Sequence, residues 1–257
     1  MDRLVVVTGA SGGIGAAIAQ RLAADGDRVV MLARRADRLH ELAERIGGHA
    51  HPVDLAVGDD VSRVCAEIVA THGVPDVVIN NAGAGRFTSI EETSNREAAE
   101  QMAVPYLATF HVTRGFIEPM LARGSGTIFA INSPVAVVPW PGAVGYAAAR
   151  FAVRGFTEAL RQDLWGTGLQ VGSLSPTRVH SDYFEANPDS VQRVPRVEAL
   201  VGKMTVEQVA DTVAHCLQYR PDKDTYAPWR WALIAPWARV FPSAVAALYR
   251  ATGHRRR

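Results

Sequence analysis

Two hydrophobic rhythms alternate along the chain. Leu4 to Val7 is an unbroken apolar run rich in β-branched residues and too short for a helix, so it predicts a buried strand. Ile14, Ala17, Ile18 and Leu22 then recur at helical spacing, with Gly26 near the stop. Further strands are predicted over Arg28 to Ala33, Ala50 to Val53, Asp76 to Ile79, Thr127 to Ile131 and Leu169 to Leu174, with a short one near Thr225. Between them the spacing predicts helices over Ala36 to Ile46, Asp60 to His72, Arg96 to Arg123 with an interruption at Pro105, Gly145 to Trp165, and Val206 to Tyr219. Strands alternating with helices predict an α/β architecture: a Rossmann-type doubly wound parallel sheet of about seven strands with helices on both faces.

Two stretches depart from this rhythm. Ser175 to Lys203 has weak periodicity, several prolines and mixed charge, and reads as a substrate loop. Residues 1–226 would then form one domain that includes this loop, and 227–257 a Trp/Arg-rich extension. Ala227 to Tyr249 is apolar and holds three of the five tryptophans, but Arg230, Arg239 and three prolines make it a poor transmembrane helix. It can cover a pocket, form a subunit interface, or rest on a membrane surface with His254 to Arg257 beside it.

Composition adds mainly exclusions. A formal charge of +1 over 257 residues argues against a nucleic-acid partner. Cys65 and Cys216 fall in helical segments and fit reduced thiols in the cytoplasm. The eight histidines show no metal spacing, so no metal is expected, and His49 and His51 read as surface residues. Because the first strand begins at Leu4, no signal peptide is expected.

The candidate chemistry starts where the first strand meets its helix. Gly9, Gly13 and Gly15 give G-x-x-x-G-x-G, and with Ser11, Gly12 and Ile14 they form a loop whose backbone can turn tightly and approach an anion. The open N–H groups and positive end of the following helix would face that charge.

Farther along, TGASGGIG (Thr8 to Gly15), ARR (Ala33 to Arg35), Asp54, NNAG (Asn80 to Gly83), Ser133 and Tyr146 stand in one register. In these motifs the chain resembles the short-chain dehydrogenase/reductase family, from Leu4 to about Thr225. The resemblance implies hydride transfer between a nicotinamide cofactor and an alcohol or carbonyl, and a homodimer or homotetramer built through the two long helices. It implies cofactor contacts from Asp54 (to the adenine), Leu55, Asn81, Ala82, Gly83, Pro176, Thr177, Val179 and Ser181, besides the glycine loop.

An NAD enzyme places an acid at the end of its second strand to bind the ribose hydroxyls. Here Ala33 is followed by Arg34 and Arg35, which suit a 2′-phosphate, so NADP(H) is expected over NAD(H). Tyr146 lies 13 residues after Ser133, the family's interval between catalytic serine and tyrosine. Tyr146 would donate a proton to the carbonyl oxygen that Ser133 holds.

Three positions depart from the family. Arg150 stands one helical turn after Tyr146 where the family has lysine; it keeps a positive charge and can reach the nicotinamide ribose, but does not readily release a proton. Pro105 replaces an asparagine that helps hold a water of the proton relay. Thr177 replaces a glycine.

Three functions fit these residues: an NADP(H)-dependent oxidoreductase with a Tyr-x-x-x-Arg motif, a nucleotide-binding protein without turnover that senses or scaffolds, and a membrane-surface platform. Retention of both Ser133 and Tyr146 favours the first. Val135, Trp140, Tyr183 and Phe184, with Ser133 and Tyr146, would line a pocket for an apolar small-molecule substrate.

Overall fold

In the computed structural model, which describes residues 2–181, 183 and 187–255, the core is one seven-stranded parallel sheet. Its strands are β1 (Leu4–Thr8), β2 (Arg28–Ala33), β3 (His49–Pro52), β4 (Val77–Asn80), β5 (Gly126–Ile131), β6 (Leu169–Pro176) and β9 (Asp224–Ala227). They run in the order β3-β2-β1-β4-β5-β6-β9, every neighbouring pair parallel. Two short strands, β7 (Val179–His180) and β8 (Met204–Thr205), pair outside it.

The unbroken apolar runs follow from burial on both faces. Val5 and Val7 point to one core, against α1 (Gly13–Ala24), α2 (Ala36–Ile46) and α8 (Val206–Tyr219). Leu4 and Val6 point to the other, against α3 (Gly58–His72) and α5 (Ala108–Arg123). On β2, Val29 and Met31 join the first core while Val30 and Leu32 join the second. Sequential strands diverge from β1, with β2 on one side and β4 on the other, so the carboxyl edge opens a crevice at that switch point. Thr8 closes its base: its hydroxyl accepts from the backbone N–H groups of Asn81 and Ala82 at 2.9 and 3.0 Å.

The helix expected from Arg96 to Arg123 is split. α4 (Asn95–Met102) passes through a π turn, Ala103–Leu107, into α5. Pro105 is the physical cause, since it has no N–H and its ring crowds the carbonyl of Gln101. α6 (Val144–Asp163) packs alongside. Past it come the single-turn α7 (Pro188–Val191), then α9 (Trp229–Val240) and α10 (Pro242–Thr252).

A third core lies beyond the carboxyl edge. Phe87, Val135, Trp140 and Tyr146 meet Trp231, Ala235 and Ala238 of α9 and Tyr249 of α10 there. His51 departs from the expectation of a surface residue. It is half-buried, and its Nε2 lies 3.3 Å from that of His72. Burial lowers both imidazoles below their ordinary range. Among the described residues no histidine, cysteine or carboxylate group is arranged to hold a metal.

Candidate active site

The crevice is a cleft of about 620 Å³ along the carboxyl ends of β1 to β6. Its floor is the loop from Gly9 to Ile14. Gly9 and Gly13 have φ of +68° and +54°, a region that other residues rarely adopt. A side chain on Gly9 would sit 2.9 Å from the Ala82 Cα, so the loop and the NNAG segment touch backbone to backbone. Among the described residues the N-terminus of α1 has no side-chain cap, and its first turn holds no acid. Its backbone N–H groups therefore suit an anion, as a pyrophosphate requires.

Arg35 bends over this loop. Its Nη2 donates to the Ser11 carbonyl at 3.0 Å and its Nε to the Ser11 hydroxyl at 3.2 Å. Arg34 lines the same end of the cleft. Asp54 lies just past β3, where one of its oxygens accepts from the Ala56 N–H at 3.1 Å. No acidic residue stands at the end of β2, where a pair of ribose hydroxyls would be bound.

At the other end Ser133 follows β5, and its hydroxyl accepts from the Val135 N–H at 3.4 Å. Tyr146 enters from the first turn of α6 and is almost fully buried. The Arg150 guanidinium lies 5.2 Å from the centre of its ring. Arg150 is also buried; its Nη1 donates to the Ile131 carbonyl at 3.1 Å, and the guanidinium presses on Gly83. Asn132 braces this helix, donating to the Arg150 carbonyl at 3.3 Å and accepting from the Ser133 N–H at 3.0 Å.

A second phenol stands beside the first. Tyr183 and Tyr146 have ring centres 6.3 Å apart, and Tyr183 donates to the Gly85 carbonyl at 2.6 Å. Burial, with Tyr146 adding to it, raises the Tyr183 hydroxyl above the ordinary tyrosine range. Tyr183 is thus a neutral donor, the Arg150 charge only partly opposing the effect of burial.

Most of the residues singled out in the sequence border this cleft: the loop from Gly9 to Ile14, Arg34, Arg35, Asp54, Leu55, the Asn81–Gly83 segment, Ser133, Trp140, Tyr146, Arg150, Pro176, Thr177, Val179, Ser181 and Tyr183. Two do not. Gly15 faces the loop's own backbone, where an added carbon would come within 2.8 Å of the Gly9 carbonyl carbon, so it sets the packing of α1 on β1. Val135 is fully buried in the third core, turned away by the single 3-10 turn Pro134–Ala136. Phe184 lies outside the described residues.

The cleft also takes residues that the sequence reading passed over, among them Phe87, Val104, Asn132 and Arg178. Asn132 and Arg178 each follow a strand of the sheet by one or two positions, a signal available in the sequence. Phe87 lies in a segment of no periodicity.

The resemblance extends to known proteins. A family model described as short chain dehydrogenase matches residues 3–192. The chain is 33% identical over 230 residues to 2-(R)-hydroxypropyl-CoM dehydrogenase of Xanthobacter autotrophicus, covering 83% of this chain and 90% of that one. A short-chain dehydrogenase from Streptomyces avermitilis superposes with a TM-score of 0.81 at 25% identity, covering 98% of this chain and 97% of the other. The alcohol dehydrogenase of the archaeon Thermococcus sibiricus, complexed with 5-hydroxy-NADP, gives 0.76 at 26% identity over 88% of this chain and 96% of that one. The chain therefore belongs to the short-chain dehydrogenase family and is an NAD(P)-dependent oxidoreductase.

Proposed function

We propose that the protein interconverts an alcohol and a carbonyl on an apolar small molecule, with NADP(H) as its preferred cofactor and Tyr146, Ser133 and Arg150 as the reacting site. The observation that carries this reading is the buried Tyr146 with the Arg150 guanidinium over its ring, in the same cleft as the glycine loop. The uncapped α1 N-terminus, Arg34 and Arg35 would hold the phosphates, Asp54 the adenine end, and Arg150 and the Asn81–Gly83 segment the nicotinamide end.

Bound there, the cofactor supplies or accepts the hydride. In the reducing direction Tyr146 gives its hydroxyl proton to the substrate oxygen, and Ser133 holds that oxygen in place. Arg150 keeps a permanent positive charge 5.2 Å from the centre of the Tyr146 ring. Arg150 does not itself release a proton, and Pro105 has no side-chain amide, so the tyrosine recovers its proton slowly. Phe87, Trp140 and Tyr183 give the substrate end its apolar, aromatic character.

Residues 227–255 cover this end. Tyr249 stacks on Trp140 with ring centres 6.5 Å apart, and His254 lies beside Gly142. Leu107, Phe110, Val144 and Phe151 expose apolar surface on the π turn, α5 and α6, which supports a homo-oligomer joined through those helices. The test is NADPH oxidation against aliphatic, aromatic and steroid carbonyls. Turnover that disappears with Tyr146→Phe supports the reading; turnover unchanged by it removes Tyr146 from the chemistry.

A further inference from the structure

The helix pair α9–α10 is fastened to the body by one side only. Trp231, Ala235, Ala238 and Tyr249 are buried. Trp231 meets the Tyr226 ring edge-on at 6.2 Å, Arg239 pairs with Glu158 on α6, and the Tyr249 hydroxyl donates to Glu198. The side turned away from the body is apolar. Trp229 is 68% exposed, Leu233 62%, Trp237 61% and Phe241 55%, at successive steps of four residues. That spacing sets them in one stripe along α9. Trp237 and Phe241 stack at 6.0 Å, and Val240 and Leu248 widen the exposed surface.

The charged side chains that the described helix pair itself carries are all arginine, and Glu158 on α6 pairs with one of them, Arg239. No Asp or Glu follows Asp224, whereas Arg230, Arg239, Arg250, Arg255, Arg256 and Arg257 do. Exposed large apolar residues beside Arg230, Arg250 and Arg255 define what can cover this face. A second copy seated on it by two-fold symmetry would set arginine opposite arginine. A bilayer crossing fails on length and on shape. The 12 residues of α9 span about 18 Å against the ~30 Å of a hydrocarbon core, and α10 leaves at 118°. The buried side of the pair is moreover committed to the protein. A surface of anionic lipid headgroups meets both requirements: apolar side chains enter the acyl boundary and arginines pair with phosphates. Tryptophans also favour that boundary.

We propose that α9–α10 is a peripheral membrane anchor that seats the protein in the plane of an anionic lipid surface, independently of the reaction assigned to the cleft. The test uses the full chain with vesicles of phosphatidylcholine alone and of phosphatidylcholine mixed with phosphatidylglycerol. Sedimentation with the mixed vesicles, little with the neutral ones and release by raised salt are expected. Leu233→Glu with Trp237→Glu should lower the bound fraction about tenfold or more while NADPH binding persists. Arg250→Ser with Arg255→Ser, which leaves the stripe intact, should weaken binding and flatten its salt dependence. Failure to sediment with the mixed vesicles overturns the anchor. So does a fall in oligomer size by light scattering, without lipid, in the Leu233→Glu, Trp237→Glu variant, because the stripe would then be covered by another copy.

Discussion

The Arg150 guanidinium lies 5.2 Å from the centre of the Tyr146 ring, and it is tied there by the Ile131 carbonyl at 3.1 Å. One side chain thus supplies the charge beside the phenol and bridges α6 to the end of β5. Arg150→Lys separates these roles. The lysine restores a group that can pass a proton, so kcat should rise. It also forfeits the Ile131 contact, at a cost of about 1 kcal/mol in stability. Steady-state rates and thermal unfolding read both. Adding Pro105→Asn should raise kcat by more than the product of the two single effects, since the two positions would act as one proton path. A fall in kcat for Arg150→Lys would mean that the site is built around arginine.

Arg34 and Arg35 differ in how they are held. Arg35 is bonded to Ser11 in the phosphate loop, so its removal should loosen the loop for either cofactor. Arg34 borders the cleft, and Arg34→Ala should act on NADPH alone. Loss of one charge-assisted contact to a 2′-phosphate costs roughly 1.5–3 kcal/mol, which is at least about a tenfold loss of NADPH affinity. Calorimetry with both cofactors measures it. An unchanged NADPH-to-NADH ratio places the 2′-phosphate elsewhere.

The parts of this molecule that were legible in sequence are those in which one residue type answers to one constraint. Val5 and Val7 against Leu4 and Val6 announced a strand buried on both faces, because each face demands apolar residues. Gly9 and Gly13 announced the turn, since their backbone angles suit glycine. Side-chain direction was less visible. Gly15 looked like part of the anion site but serves helix packing. Val135 looked like pocket lining but is turned inward by a single 3-10 turn. His51 and His72 lie 21 residues apart, so their contact depended on how α3 returns to β3. The partner of the C-terminal Tyr249 was invisible for the same reason, because Glu198 belongs to a stretch without periodicity.

Two glycines, Gly83 in the cleft and Gly15 behind it, predict different outcomes for the same substitution. Alanine at Gly15 would meet backbone, with the Gly9 carbonyl carbon 2.8 Å from the added methyl, and neither element can yield. Gly15→Ala should cost about 1–3 kcal/mol of stability and weaken both cofactors. At Gly83 the obstacle is the end of the Arg150 side chain, which can swing aside. Gly83→Ala should cost no more than the roughly 1 kcal/mol of the Ile131 contact that the displaced guanidinium gives up, and it should lower kcat by moving that charge away from Tyr146. Equal thermal destabilisation by both would refute this distinction.

Assembly has its own readout. Leu107 and Phe110 on one side, and Val144 and Phe151 on the other, expose apolar surface on the two helical segments that flank Tyr146. Light scattering at micromolar concentration should give a dimer or tetramer, and Phe110→Glu with Phe151→Glu should reduce it to monomer. A wild-type monomer counts against oligomerisation through these helices.

The C-terminal cover should respond to pH through Glu198. This carboxyl is buried, one oxygen accepts from the Tyr249 hydroxyl, and its Oε2 finds no partner among the described residues. Burial raises Glu198 above the ordinary carboxylate range, and the Tyr249 bond only partly opposes this. A carboxyl whose folded value is raised contributes stability that is complete below the unfolded value, near 4.5, and lost as pH rises through the folded one. Wild type should therefore lose ground to Glu198→Gln as the solution moves from acid toward neutral. Glutamine keeps an acceptor for Tyr249 and cannot ionise. Tyr249→Phe should do the opposite: it leaves the buried carboxylate without its donor and costs about 1–3 kcal/mol at neutral pH. Thermal unfolding of the three proteins across that range decides the matter. A gap between wild type and Glu198→Gln that stays constant with pH would show that Glu198 does not titrate within the fold.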